Sequence, residues 1–183
     1  MDALPMLFDP VLGHGCAAAL AILLLSSAWH KLADLAVFRA TVELYGLLPA
    51  AAVGAFAGLF PLLEAAAGAV LLLRPDGPWM LLPLAVLGLS TAAILINVLR
   101  GRTRLECGCG GDSQPRLSWA LVARNVALLG GVLVAAAADS GRPLVWVDFL
   151  TVAALTLALA GLYAALNQLL ANRPESMQTG SLS

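Results

Sequence analysis

Two cysteines separated by a single glycine are the clearest candidates for chemistry in this chain. Cys107 and Cys109 lie in the polar stretch RGRTRLECGCGGDSQPRLS, residues 100–118. The glycines around them leave the backbone flexible enough to bring the thiols together or to admit the backbone of another protein. A disulfide closing so small a ring departs from relaxed geometry, and strained, exposed disulfides exchange readily. Arg102 and Arg104 favour the thiolate, the reactive form. The pattern predicts thiol–disulfide exchange. If the protein is an enzyme, this exchange is the one activity that the sequence predicts for it.

Other roles for the pair stay open. Two thiolates one residue apart can also bind a soft metal ion such as copper, which would make the protein a metal carrier that uses Cys107 and Cys109. The pair can equally be a structural clamp or incidental loop cysteines. Cys16 lies among alanines in an apolar stretch and is expected to behave as a small buried hydrophobe. No metal ion or cofactor is predicted, although the Trp-His-Lys run at 29–31 is suited to lipid headgroups or a quinone-like carrier.

Ionisable residues within apolar stretches are the second set of candidates. Glu64 and Arg124 both interrupt such stretches, and charges inside a membrane span are costly enough to indicate a role. A pair between them would join the second and fourth helices and remove the cost of two isolated charges. Asn97 and Asn125 can form hydrogen bonds between helices.

The composition requires a membrane around these residues. The 183 residues are 61% hydrophobic and only 11% charged, with a formal net charge of −1. A soluble domain carries about 25% charged residues, and a chain of this size cannot bury the surplus apolar side chains in a soluble core. Nucleic-acid binding is excluded, because the basic residues are scattered. Residues 1–10 contain no Lys or Arg, so a removable signal peptide is not expected.

Charge spacing predicts an all-α, polytopic membrane bundle of about five transmembrane helices. A span needs about 20 mostly apolar residues. Four such helices are predicted at about 11–30, 49–73, 78–99 and 118–138, and a fifth within 139–171. Residues 31–48 carry Leu35, Phe38, Val42 and Tyr45 at helical spacing and predict an amphipathic helix at the interface. Gly54 and Gly58 form a small-xxx-small pattern that permits close helix packing. Residues 172–183 are polar and are predicted to be a disordered tail.

The basic residues predict an orientation. With five spans, seven Lys and Arg residues fall on one side, and only Arg74 and Arg142 fall on the other. The seven are Lys31, Arg39, Arg100, Arg102, Arg104, Arg116 and Arg173. The positive-inside rule then places the amino terminus outside and the loop 100–117, with its cysteines, in the cytoplasm.

An ordered set of short motifs resembles the methylamine utilisation protein MauE family, a branch of the wider DoxX-like membrane proteins. The set runs through His30-Lys31-Leu32, Phe38 to Val42, Tyr45 to Pro49, Pro61 to Glu64, Ala92-Ala93-Ile94, Asn97 to Arg102, Cys107 to Gly111, Ser118-Trp119 and Arg124-Asn125. The resemblance covers about 12–138. It implies a four-helix MauE/DoxX-like domain at 1–138, followed by a fifth helix at 139–171.

The resemblance also implies a location and a role. The location is the bacterial cytoplasmic (inner) membrane. The role is maturation of periplasmic methylamine dehydrogenase, through processing, transport or disulfide formation of its small subunit, beside the thioredoxin-like protein MauD. Cys107 and Cys109 would exchange with the partner's thiols, while Lys31, Glu64, Asn97 and Arg124 would support them. Chemistry on an exported subunit requires thiols that face outward or a relay across the membrane. The charge count instead places the cysteine loop in the cytoplasm. A non-catalytic scaffold for a membrane partner is a further alternative.

Overall fold

Six α-helices and one short 3-10 helix make up the part of the chain that the computed structural model describes, which is residues 9–74, 77–103, 105, 116–138 and 145–171. The α-helices are α1 (Pro10–Ala33), α2 (Leu35–Tyr45), α3 (Ala50–Leu73), α4 (Leu81–Leu99), α5 (Trp119–Ala137) and α6 (Trp146–Ala171), and the 3-10 helix is Gly77–Met80. All of the α-helices except α2 are long and apolar enough to cross a membrane, α4 together with the 3-10 helix. The predicted all-α bundle with five spans is therefore confirmed. The predicted tail at 172–183 lies outside the described residues, and the division into domains stays a prediction.

The first two helices meet at an aspartate. Asp34 ends α1, and its carboxylate then accepts a hydrogen bond from Val37 N at 3.1 Å at the start of α2. A side-chain oxygen that accepts from a free amide in the first turn stabilises a helix start. Gly46 ends α2 with a φ of 59°, a left-handed conformation that glycine adopts without strain. Because α1 continues to Ala33, beyond the predicted end at 30, Lys31 belongs to a spanning helix.

Helix α1 lies at the centre of the bundle. It packs against α3, α5 and α6, while α4 packs against α3 and α5. The main apolar core lies among these helices, with fully enclosed residues such as Ala21 on α1, Ala67 on α3 and Val132 on α5. Helix α6 is peripheral, and the large side chains along it are mostly exposed. In a membrane these apolar surfaces contact lipid, since lipid leaves no reason to bury them.

The amphipathic helix α2 covers one end of this core. Phe38, Val42 and Tyr45 of its predicted apolar stripe are buried, whereas Leu35 is 43% exposed. Phe38 and Val42 join the main core, and Tyr45 belongs to a smaller cluster near the end of α4. The helix thus lies over the bundle at the end where α1 and α4 finish.

Helices α1 and α3 are in close contact at Gly68. A Cβ at this position would lie 2.8 Å from Leu25 Cγ and 3.3 Å from Ala21 O, both on α1. Among the described residues outside its own helix turn, Gly58 has nothing within 4 Å of such a Cβ, and Gly54 meets the side chain of Arg39. The close contact therefore lies at Gly68 and not at the glycine pair of the pattern, because the pattern alone does not specify which helix face meets a neighbour.

We expect Gly68→Val to destabilise the bundle by about 1–3 kcal/mol, because the added side chain overpacks the contact between α1 and α3. For a protein of this size each kcal/mol lowers the melting temperature by about 2–4 °C. The measurement is thermal unfolding of the detergent-purified protein, followed by loss of the monodisperse peak on size-exclusion chromatography. Gly58→Val is the matched control on the same helix. Equal melting temperatures for the two variants would contradict the packing described above.

Candidate functional site

A buried ion pair joins α1 to α3. Lys31 Nζ lies 2.5 Å from Glu64 Oε1, and the two side chains are only 6% and 4% exposed. Ser27 donates its hydroxyl to the same carboxylate oxygen at 3.4 Å. Residues four positions apart lie on one face of a helix, so Ser27 and Lys31 present two donors from α1 to one carboxylate on α3. The structure thus brings together two of the predicted supporting residues.

Aromatic rings enclose the ammonium group of Lys31. Its Nζ lies 5.2 Å from the ring centroid of Phe38 and 5.0 Å from that of Phe60. The two rings are stacked, with centroids 6.2 Å apart. A cation close to ring faces is attracted by their electron density, most strongly when water is excluded. Helices α1, α2 and α3 therefore each contribute to one site.

The carboxylate of Glu64 is only half satisfied. Its Oε1 accepts from Lys31 and Ser27, but Oε2 is buried and has no hydrogen-bond partner among the described residues. A buried charged oxygen without a donor costs free energy, and a buried ion pair is often no more stable than apolar side chains of similar volume. Stability alone therefore gives little reason for this arrangement. A charged pair inside a membrane span is a functional candidate.

The predicted pairing of Glu64 with Arg124 is wrong. Arg124 Nη1 donates to Asn167 Oδ1 at 2.7 Å, and its Nε and Nη2 atoms donate to Asn125 Oδ1 at 3.3 and 3.1 Å. Its guanidinium also lies 5.2 Å from the ring centroid of Tyr163. The physical reason is the position of α1, which packs against both α3 and α5, whereas α3 and α5 share at most marginal contact. Arg124 therefore fastens α5 to α6.

Asn97 is fully buried in the last turn of α4. Its Nδ2 donates to Ala93 O at 3.0 Å, and its Oδ1 has no partner among the described residues. No hydrogen bond joins it to Lys31 or Glu64 in the described part of the chain. The predicted supporting residues therefore occupy three separate places, with Lys31 and Glu64 together and with Asn97 and Arg124 apart from them.

The described ends of the polar loop between α4 and α5 are held by hydrogen bonds. Leu117 N donates to Leu105 O at 2.9 Å, and Leu117 is fully buried. At the first end, Arg102 Nη1 donates to Leu44 O and Tyr45 O at 3.4 and 3.5 Å, which ties the loop to the end of α2. Leu105 and Leu117, the two described residues joined by the first of these hydrogen bonds, are thus held side by side. Cys107 and Cys109, the predicted exchange pair, lie in this interval and outside the described residues.

Cys16 is half-buried and forms no disulfide within the described part of the chain. It lines an apolar cavity of about 460 Å³ between α1, α5 and α6, which also contacts Arg124 and Tyr163. The expectation of a small hydrophobe in an apolar helix fits these surroundings. Sequence reasoning missed Ser27, Phe38 and Phe60 as neighbours of the ion pair. The spacing of Ser27 and Lys31 was a visible signal, but the two rings come from helices whose contact the sequence does not indicate.

Comparison with known proteins identifies a family. The family model described as "Methylamine utilisation protein MauE" matches residues 9–138. The relatives found include three that carry the name methylamine utilization protein MauE and come from different organisms. The one from Paracoccus versutus is 36% identical over 134 residues, covering 72% of each chain. The one from Paracoccus denitrificans is 37% identical over 125 residues, covering 67% of each. The one from Methylophilus methylotrophus is 35% identical over 136 residues, covering 72% of this chain and 71% of the relative.

No solved structure matches the chain. The family model spans α1 to α5 and therefore includes both members of the ion pair, the cysteine loop and Arg124. On the strength of that match and of relatives above one-third identity, this five-span membrane protein belongs to the methylamine utilisation protein MauE family.

Proposed function

We propose that the protein acts in methylamine utilisation, in the bacterial cytoplasmic membrane, as a maturation factor for the small subunit of periplasmic methylamine dehydrogenase. Its contribution is disulfide formation in that subunit, through Cys107 and Cys109 and together with a thioredoxin-like partner of the MauD type. The observation that carries the proposal is a pair of closely spaced thiols in the long polar loop of a MauE family member.

The described ends of the loop support this role. The hydrogen bond between Leu105 and Leu117 and the tie from Arg102 to the end of α2 anchor the segment that contains the thiols. Anchored flanks would present a reactive pair between them to a partner at one end of the bundle. Exchange is favoured by such presentation, because the rate of thiol–disulfide exchange depends on access as well as on thiolate content.

The oxidation of the subunit needs no reactant other than the disulfide between Cys107 and Cys109. The disulfide between Cys107 and Cys109 is attacked by one thiolate of the small subunit, which forms a mixed disulfide and releases one cysteine as a thiol. A second subunit thiol then resolves the mixed disulfide. The subunit gains one disulfide, and the two electrons and two protons it loses reduce Cys107 and Cys109. The thioredoxin-like partner, in its disulfide form, re-oxidises the pair by the same chemistry.

The mixed disulfide is the species that tests the proposal. We expect a variant with Cys109→Ser, produced with the small subunit and quenched with acid, to yield a covalent complex on a non-reducing gel. The lone Cys107 thiolate attacks a disulfide of the subunit, in the reverse of the last exchange step, and this protein then has no second loop thiol to release the link. If Cys109 forms the link, Cys107→Ser yields it instead. The complex disappears on reduction. Cys16→Ser is the matched control and leaves the trapped band unchanged.

The absence of such a complex with either single variant would contradict direct exchange. The same cysteines report the side of the membrane when intact cells are treated with a membrane-impermeant maleimide. Labelling in intact cells supports direct exchange with the exported subunit. Labelling only after the membrane is opened supports the cytoplasmic loop that the charge count predicts, and it requires a relay across the membrane.

A further inference from the structure

A second cavity lies directly beside the buried ion pair. It has a volume of about 140 Å³ and is bounded by α2, α3, α4 and the end of α1. Lys31, Phe38, Phe56 and Phe60 line it, together with Ser90 and Ala93 of α4. It is partly open to the outside, and it lies toward the end of the bundle where α1 and α4 finish.

The size of the cavity fits one six-membered ring. An engineered apolar cavity of about 150 Å³ in another protein binds benzene, which sets the scale. The wall is suited to a planar occupant, because Phe56 and Phe60 are stacked with centroids 5.0 Å apart and Phe38 continues the stack. Aromatic side chains favour offset or edge contacts with a further ring.

The polar groups of the wall indicate what the ring must carry. Lys31 is the charged group among the described lining residues, and its ammonium has three N–H donors. One of them is directed to Glu64, which leaves donors for an occupant. Thr41 and Ser90 each donate to a backbone carbonyl of their own helix, at 3.0 and 3.1 Å. The occupant therefore has to supply an acceptor oxygen.

That oxygen belongs to a neutral group. Glu64 already neutralises Lys31, and a second carboxylate in the cavity would be repelled by the first. Burial raises the pKa of the Tyr45 phenol, so this residue adds no charge at ordinary pH. A plain acyl chain fits poorly as well, since it would leave the donors of Lys31 without an acceptor. A carbonyl oxygen on a ring satisfies these requirements.

From these observations we infer that the cavity beside Lys31 binds the head ring of a lipid-soluble quinone. One ring carbonyl accepts a hydrogen bond from the Lys31 ammonium, the ring lies against the phenylalanines, and the tail leaves through the open side toward lipid. The inference does not rest on exchange chemistry at Cys107 and Cys109.

The test measures binding of a ubiquinone with a ten-carbon tail to the full-length protein in phosphatidylcholine nanodiscs. Bound quinone is separated from free quinone, extracted and quantified by absorbance. We expect saturable binding of one quinone per chain. Ala93→Phe, which fills the cavity, should weaken binding by at least about tenfold, and Lys31→Met with Glu64→Met should weaken it about tenfold through loss of the charged donor.

The matched control is Ala127→Phe, which adds the same side chain to the other cavity, between α1, α5 and α6. It should bind as tightly as the parent, and so should the variant with Cys107→Ser and Cys109→Ser. Ser90→Leu is a second filling variant in case Ala93→Phe does not fold. Non-saturable binding, undiminished binding by the folded filling variants, or full displacement by an equal concentration of palmitate would overturn the inference.

Discussion

Replacing Lys31 by methionine lowers the free energy of unfolding by about 3–5 kcal/mol, we expect, because it leaves the Glu64 carboxylate buried without its cation. Methionine keeps most of the side-chain volume, so loss of packing contributes little. The carboxylate has Ser27 as its other donor, at 3.4 Å, and Oε2 has no partner among the described residues. The effect is therefore electrostatic, and unfolding of the purified protein by added SDS, followed by tryptophan fluorescence, measures it.

Two matched variants separate the pair from its surroundings. Lys31→Met combined with Glu64→Met removes both charges, and we expect it to recover most of the lost stability, since apolar replacement of a buried ion pair is often close to neutral. Arg39→Met removes one partner of an exposed pair on α2, in which Arg39 Nε lies 3.2 Å from Glu43 Oε1. Water solvates the remaining charge there, so the cost should stay below about 1 kcal/mol. A double variant no more stable than the single one would contradict this account of the pair.

The spans could be predicted from the sequence, because apolar length between charges is a local property. Five long runs required five helices, and lipid imposes that structure on each of them. The boundary of α1 was harder. Lys31 follows an uncharged run and therefore marked the predicted end of the span, yet the helix continues to Ala33. Lys31 can be buried because Glu64 on another helix pairs with it, and no local sequence pattern predicts that pairing.

The partner of Glu64 could not be predicted from the sequence. Glu64 and Arg124 were the two charges that interrupted apolar runs, so pairing them was the simplest electrostatic solution. The prediction failed because helix order in space decides which faces meet, and α1 lies against both helices that carry these charges. Arg124 found amide and aromatic partners on α5 and α6 instead. The motifs around Lys31 and Glu64 nevertheless contained the family resemblance that the comparisons confirm.

The second large effect concerns the cysteines. We expect the variant with Cys107→Ser and Cys109→Ser to abolish active methylamine dehydrogenase in a host that makes it, although the membrane protein itself should accumulate normally. Serine removes the two loop sulfur atoms that the proposed exchange uses, while changing the loop's volume little. Cys16→Ser is the control, since Cys16 lies in an apolar helix and has no part in the proposed exchange. Dehydrogenase activity in periplasmic extracts is the readout.

The other open functions predict different outcomes for the same variants. A scaffold would tolerate loss of both cysteines and would instead depend on the Lys31 and Glu64 pair for its stability. A soft-metal carrier would bind copper in the purified state and lose it with either single serine. Proposed exchange requires both thiols for the full cycle, since together they form the disulfide that oxidises the subunit. The comparison of single and double variants therefore distinguishes the three functions.

The most direct measurement of the central claim is the thiol state of the dehydrogenase small subunit in cells that carry the double serine variant. After acid quenching and alkylation, mass spectrometry counts the alkylated cysteines of the subunit. The account predicts a subunit with free thiols in the variant and a fully disulfide-bonded one with the parent protein. A fully disulfide-bonded subunit in the absence of Cys107 and Cys109 would contradict it.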